Sequence, residues 1–250
     1  MTDRPILFSA PMVRALLEGR KSQTRRLLKP QPTEWATSCH QPTMLNALQQ
    51  WVPSGLWAWS EEEQSPPRPL RRWPVNADGE HYWLRPRFSI GDRLWVRETW
   101  APLTYLTHND PGPQAIIDGG FYRADGGTVD GEVSRWKPSI FMPRHASRLT
   151  LIVTDVRVER LQDISEEDAI AEGVERLHSG FYPYGIATFM TTFVDGREVP
   201  AQCCTNARDS YQLLWDHING RGAWDANPWV AAYTFTVIKQ NIDQIEKVAA

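Results

Sequence analysis

Residues 19–26 of the chain, Gly-Arg-Lys-Ser-Gln-Thr-Arg-Arg, bring several chemically useful side chains into one short segment. The segment carries an amine on Lys21, a hydroxyl on Thr24 and guanidinium groups on Arg25 and Arg26. A lysine beside a threonine could activate a nucleophile, and the two arginines could hold an anion such as phosphate. The alternative interpretation is a solvated basic helix end that complements the helix dipole.

A helix is predicted immediately before this basic segment. Apolar residues there recur at helical spacing and form one buried face: Met12, Val13, Leu16 and Leu17. Gly19 is expected to end the helix, because glycine readily adopts the left-handed backbone found at helix ends. The basic segment is therefore expected to lie on a bend that a packed helix anchors.

A second helix with clear ends is predicted after a β-rich run over residues 147–161. Ser165, with Asp168 three residues later, forms a weak capping box, and Gly173 is expected to stop the helix. Glu172 is the last side chain before that stop, where an acid opposes the helix dipole. Such a local misfit indicates either a functional residue or a solvated surface glutamate.

Three strands and a further helix complete the predicted framework. Alternating apolar residues predict the strands at 93–99, 147–161 and 230–238. Glu98 shares the inward face of the first strand. The alternation in the second strand changes phase near Asp155, which predicts a β-bulge or a bend. An apolar stripe predicts the helix over about 209–218, with Gly220 as its terminator.

Few of these strands alternate with helices, so a doubly wound parallel sheet is not expected. We predict an α+β fold, a mixed β-barrel with helices at its rim, formed by one domain over residues 1–240 and followed by a polar tail at 241–250. Glycine pairs at 119–120 and 126–127 are interpreted as hairpin turns. Tryptophans are expected to pin the first of three irregular insertions to the main body. The predicted insertions lie at about 30–90, 102–145 and 176–208.

Composition limits the classes of protein to consider. The net charge of −3 excludes a uniformly basic surface, yet residues 1–30 carry seven basic and two acidic residues, so any nucleic-acid contact is expected at a local patch. Three cysteines without metal-ligand spacing predict reduced thiols in a cytoplasmic protein. The first 30 residues lack a signal-peptide pattern, and no apolar run approaches the roughly 20 residues that span a membrane. We therefore expect no membrane partner.

Four motifs in order give the chain a resemblance to the ASCH family of the PUA-like β-barrel superfamily. The motifs are the G-R-K-x-x-T-x-R turn at 19–26, the G-D-x-L-x-V strand at 91–96, the helix with its terminal glutamate at 164–173, and the closing strand at 233–237. Residues 97–100 and 224–229 resemble the long ASCH proteins common in phages and prophages. The resemblance implies a PUA-like barrel.

The resemblance also implies a chemistry. Some ASCH enzymes are small bacterial amidohydrolases that remove the acetyl group from N(4)-acetylcytidine, and their catalytic threonine, lysine and glutamate match Thr24, Lys21 and Glu172. Thr24 would attack the amide carbonyl, Lys21 would be its base, and Glu172 would orient the lysine or protonate the leaving amine. No metal or other cofactor is expected. The residues expected to bind substrate are Arg20, Arg25, Arg26, Glu98 and Trp100.

Other functions stay open at this point. The expected partner is a nucleoside or RNA, and the insertions, absent from the minimal enzymes, could reshape the pocket for a different substrate. A non-catalytic module that binds RNA or a modified base would use the basic turn to contact phosphate. A metal-independent ribonuclease would use Lys21 and Arg26 to stabilise a pentavalent phosphate. A phage structural or host-interaction protein would have kept the fold alone.

Overall fold

The computed structural model describes residues 2–32, 36–60, 83–105, 116, 119–126, 133, 135–177, 180–182, 191–194, 197–200 and 204–245. Within these residues the fold is α+β, with one five-stranded mixed sheet, three α-helices and several small sheets. None of the helices in this part of the chain is both long and apolar enough to cross a membrane.

The main sheet is formed by strands from both ends and the middle of the chain: β1 (Asp3–Leu7), β2 (Gln23–Leu27), β3 (Arg93–Arg97), β4 (Thr150–Arg160) and β5 (Trp229–Ile238). Their order across the sheet is β1-β3-β4-β5-β2. β1 and β3 run parallel, whereas the other neighbours are antiparallel. The expected closed barrel is not found among the described strands, because β1 and β2 lie at opposite edges of the sheet and do not pair.

The three helices are α1 (Ala10–Leu17), α2 (Glu166–Ala171) and α3 (Ala207–Asn219). The predicted cap of α2 is confirmed, since the Asp168 backbone N–H donates to the Ser165 hydroxyl over 3.1 Å. α3 begins two residues before the predicted start, because Asn206 caps it by accepting the Asp209 N–H.

The core lies between α1 and the sheet. Val13 and Leu16 of α1 are fully buried and belong to the same apolar cluster as Leu94 and Leu151 of the sheet. The predicted irregularity in the long strand β4 is confirmed, because its pairing with β5 shifts register between Val153 and Asp155. A second cluster joins α2 to α3.

The insertions, expected to be irregular, contain short paired strands where they are described. These segments are too short to show a sequence period, and prolines and glycines interrupt them. In the first insertion the strands are Ser38–His40, Thr43–Leu45, Trp51–Pro53, Trp57–Ser60 and Trp83–Leu84. In the other two insertions and at their borders, Trp100–Pro102 pairs with Gly120–Tyr122, Glu175–Leu177 with Gly180–Tyr182, and Thr191–Val194 with Arg197–Pro200.

The expectation that tryptophans pin the first insertion is confirmed for Trp59, which meets Trp229 of β5 edge to face with ring centroids 4.7 Å apart. Trp51 does not pin it, since 70% of this residue is exposed. Gly119 lies in a turn before the paired strand at 120–122, whereas Gly126 ends a short 3-10 helix rather than a hairpin. Residues 35, 73, 127, 203 and 246–250, on which other predictions rest, lie outside the described residues.

Candidate functional site

The basic bend is held between the ends of two helices. Gly19 has a φ of +76°, as predicted for the residue that ends α1. The backbone N–H of Lys21 then donates to the Ala15 carbonyl of α1 over 3.0 Å. One residue later, the Ser22 N–H donates to the Ala171 carbonyl, the last residue of α2, over 2.9 Å. The bend therefore joins two sequence segments that are 150 residues apart.

Lys21 and Glu172 form a buried ion pair. The Lys21 Nζ lies 2.7 Å from Glu172 Oε2 and also donates to the Glu172 backbone carbonyl over 2.8 Å. Only 1% of Lys21 and 3% of Glu172 are exposed. The acid that opposes the helix dipole at the end of this helix is therefore not a solvated surface residue, because its charge is paired with a lysine from another part of the chain.

The second oxygen of Glu172 contacts the strand that carries Thr24. Glu172 Oε1 accepts the Arg25 backbone N–H over 2.5 Å and lies 3.5 Å from a nitrogen of the Arg25 guanidinium. The Tyr211 hydroxyl of α3 lies 3.5 Å from the same oxygen. One carboxylate thus links the lysine to the backbone next to the threonine.

The environment of Lys21 favours the neutral amine over the ammonium ion more strongly than water does. Burial lowers the pKa of Lys21 from its ordinary value near 10.5, while the nearby Glu172 opposes this and the charges of Arg26 and Arg25 add to it. A lysine with a lowered pKa can accept a proton at a pH where an exposed lysine cannot.

Thr24 lies on the wall of a cavity between the two edge strands of the sheet. The cavity has a volume of about 530 Å³, and residues of β1 and β2 line it together with Glu172. Thr24 is opposite Tyr233 in the pairing of β2 with β5, and both are buried. The Arg26 guanidinium donates to the Leu7 carbonyl of β1 over 2.7 Å and so bridges the two edges. This volume is within the range of small-molecule sites.

The cavity has chemically different walls. Tyr211, Leu214 and Trp215 of α3 line one side, and all three are largely buried. The segment 84–88, which precedes β3, and Lys29 line another part, where Arg85, Arg87 and Lys29 are exposed. Buried polar groups therefore form the floor, and exposed cations form the rim.

The three arginines predicted to bind substrate have different surroundings. The Arg25 side chain is buried against two further carboxylates, at 2.6 Å from Glu159 and 2.8 Å from Asp168. Arg20 donates to the Glu18 carboxylate and to the Gly173 carbonyl, each over 2.7 Å, and is not among the residues lining the cavity. Arg26 lines it, and its guanidinium lies 5.1 Å from the Phe8 ring centroid.

Glu98 and Trp100, also predicted to bind substrate, do not line this cavity. Glu98 is buried as predicted, but its two carboxylate oxygens accept hydrogen bonds from two guanidinium nitrogens of Arg148, over 3.0 and 3.1 Å. Trp100 packs in a small separate cluster with Tyr122 and Met142. The structure thus joins Lys21 directly to Glu172, and Glu172 lines the same cavity as Thr24. Lys21, Glu98 and Trp100 are not among the residues that line this cavity.

Sequence reasoning did not select the two tyrosines at the site. Tyr211 was available only as part of an apolar helix stripe, and Tyr233 only as part of the closing strand. In the structure, burial raises the pKa of Tyr233, and the backbone of Phe88 and Arg87 hydrogen-bonds to its hydroxyl. The alternation of charged and apolar residues over 85–88 was a signal for the rim that could have been noticed.

Within the described part of the chain there is no cluster of three or more histidine, cysteine, aspartate or glutamate side chains that could hold a metal ion. The chain matches no protein-family model, no curated protein and no solved structure. The resemblance to the ASCH family therefore rests on the four sequence motifs and stays a prediction.

Proposed function

We propose that the protein is an ASCH-type amidohydrolase that removes the acyl group from an N-acylated cytidine-type substrate. The observation that supports this most directly is the buried Lys21–Glu172 pair, held against the backbone of the strand whose Thr24 lines a cavity of suitable size. A poor nucleophile, a base with a lowered pKa and a carboxylate that orients the base are the parts that covalent amide hydrolysis needs.

In the proposed reaction, the Thr24 hydroxyl oxygen attacks the amide carbonyl while its proton passes to the neutral Lys21 amine. The tetrahedral intermediate then collapses, the C–N bond breaks, and the lysine ammonium returns the proton to the cytosine nitrogen. Water hydrolyses the acyl ester on Thr24 by the same proton transfers and releases the carboxylic acid. Glu172 orients the Lys21 amine and stabilises its charged form in both steps.

Arg26 is the arginine best suited to stabilise the oxyanion, because it lines the cavity two residues from Thr24. Arg25 fits a positioning role better, since its guanidinium lies among Glu159, Asp168 and Glu172. Arg20 lies outside the cavity and holds the turn after α2 through the Gly173 carbonyl.

The test is a mass-spectrometric turnover assay with N(4)-acetylcytidine and longer N(4)-acyl analogues. Thr24→Val removes the hydroxyl but keeps the shape, whereas Thr24→Ser keeps a hydroxyl. We expect Thr24→Val to lose turnover on the order of a thousandfold or more, and Thr24→Ser to retain most of it. Circular dichroism and thermal unfolding of both variants control for folding.

The pH dependence of the same assay tests the base. The rate is expected to rise with pH as Lys21 loses its proton and to level off above its lowered pKa. No acyl loss from any analogue by the folded wild-type protein would refute the hydrolase. Binding without turnover would then favour the module that binds RNA or a modified base, and shortened RNA products would favour the ribonuclease.

A further inference from the structure

The segment just before β3 projects two arginines from a firmly packed backbone. Burial alternates along it, with Pro86 and Phe88 buried and Arg85 and Arg87 exposed. The Phe88 ring meets the Tyr233 ring edge to face at 5.1 Å. Packing of the buried residues therefore fixes the backbone and leaves both guanidinium groups on the exposed side.

These two arginines are shared by two cavities. They line the rim of the cavity that contains Thr24, and they also line a second, polar cavity of about 450 Å³. Arg4 contributes a third guanidinium to the second cavity, where Asp92 is the one acid among the described lining residues. That carboxylate already accepts hydrogen bonds from Thr2 and Ser89.

Among the described residues, no acidic side chain neutralises the positive charges at this rim. No described carboxylate forms an ion pair with Arg85, Arg87 or Lys29, whereas buried Arg25 contacts three. In a chain with net charge −3, three exposed cations around one opening form a local attraction for anions. Arginine in particular suits phosphate, because its fork of donors can bind two oxygens at once.

We propose that the substrate carries a phosphate, which Arg85 and Arg87 bind at the junction of the two cavities while the base enters the cavity beside Thr24. The aromatic wall of Tyr211 and Trp215 suits a planar base, and the cationic rim suits the 5′ side of a nucleotide. This inference rests on the proposed function for the identity of the base, but the phosphate site rests on the two arginines alone.

Calorimetric titration of the wild-type protein with cytidine and with cytidine 5′-monophosphate tests the inference without turnover. We expect the monophosphate to bind about tenfold tighter or more, because charge-assisted hydrogen bonds to phosphate add to the base contacts. This advantage should shrink as salt rises from about 50 to about 500 mM, since exposed charges are screened. Arg85→Gln and Arg87→Gln should each remove most of this advantage, measured as the ratio of the dissociation constants of cytidine and its monophosphate.

Arg135→Gln is the matched control, because it removes the charge of an exposed arginine that lines neither cavity. Guanosine 5′-monophosphate separates the two proposals. If it binds as tightly as the cytidine nucleotide and loses affinity in Arg87→Gln, the phosphate site is supported although the cytidine-directed function is not. If a 5′-phosphorylated cytidine dinucleotide binds tighter than the mononucleotide, the result supports an RNA substrate whose phosphates contact the arginines of both cavities.

Two results would overturn the inference. One is equal affinity for cytidine and its monophosphate at low salt. The other is a phosphate advantage that survives in the Arg85→Gln/Arg87→Gln double variant, which would locate the phosphate elsewhere. Neither result depends on whether N(4)-acetylcytidine is hydrolysed.

Discussion

The charge on Glu172 is predicted to be required for stability because Lys21 is buried beside it. Glu172→Gln keeps the size of the side chain and an oxygen that can accept the Arg25 backbone N–H, but it leaves the Lys21 ammonium without its carboxylate. Removing one partner of a buried ion pair costs about 3–5 kcal/mol of unfolding free energy. The variant can limit this cost by releasing the lysine proton.

The cost of that proton release sets an upper bound on the unfolding free energy that Glu172→Gln loses, and it makes this loss depend on pH. The ordinary pKa of Lys21 is near 10.5, and each pH unit below it costs about 1.4 kcal/mol, so deprotonation at pH 7 costs about 5 kcal/mol. At pH 9 the same release costs only about 2 kcal/mol. Since the unfolded lysine still binds its proton in this range, the variant recovers stability relative to wild type as pH rises toward 10.5.

Urea unfolding at pH 7, 8 and 9 measures this difference. Glu167→Gln is the control, because Glu167 is an exposed residue of the same helix, and its substitution should cost less than about 1 kcal/mol at every pH. The double variant Lys21→Met/Glu172→Gln should regain most of the loss, since it removes the buried cation. A Glu172→Gln deficit under about 1 kcal/mol at pH 7, or one that does not change with pH, would refute the reasoning.

Two further predictions concern backbone contact and acid stability. Gly173→Ala should lower both stability and turnover, because a Cβ there would lie 3.0 Å from the Lys21 Cβ. The control is Gly222→Ala, since Gly222 also has a positive φ but a Cβ there would have no atom within 4 Å. Thermal unfolding and the turnover assay should show that this control lowers stability alone. Asp3→Asn should reduce the loss of stability on acidification, measured by thermal unfolding from pH 5 to 2. Hydrogen bonds from Arg93 and a second arginine lower the pKa of Asp3 to about 2. The stabilisation by Asp3 is therefore present above its unfolded pKa near 4 and is lost as pH falls through 2.

Local sequence signals predicted the helices and the long strands well. The caps at Ser165, Gly19 and Gly173 each require a particular side chain or backbone conformation, so a few residues suffice to recognise them. The bulge near Asp155 was visible because one insertion reverses the alternation of a whole strand. These features depend on neighbours in the chain.

Sheet closure could not be predicted in the same way. Whether β1 and β2 pair depends on the tilt and curvature of all five strands, to which many residues contribute weakly. The position of Glu98 and Trp100 away from the cavity could not be predicted for a related reason. Burial of Glu98 was predicted from its strand face, but its partner Arg148 lies 50 residues away. No spacing rule connects those two residues.

The open edge of the sheet explains why the site lies where it does. The pairing of β2 with β5 uses the backbone groups of Ser22 and Leu28, so the Arg25 N–H points to the unpaired side of β2. An edge N–H that is buried must find an acceptor, and Glu172 Oε1 supplies it. The same carboxylate therefore has a structural role that is independent of any reaction.

These two roles of Glu172 can be separated by chemistry. Pairing with the Arg25 backbone N–H needs only an oxygen acceptor, which Glu172→Gln retains, whereas orientation and charge stabilisation of Lys21 need the negative charge. If the carboxylate serves the backbone alone, Glu172→Gln should fold and turn over like wild type, and Glu172→Ala should fail at both. If it also serves the lysine, Glu172→Gln should lose turnover even at pH 9, where the upper bound on its stability loss has fallen to about 2 kcal/mol.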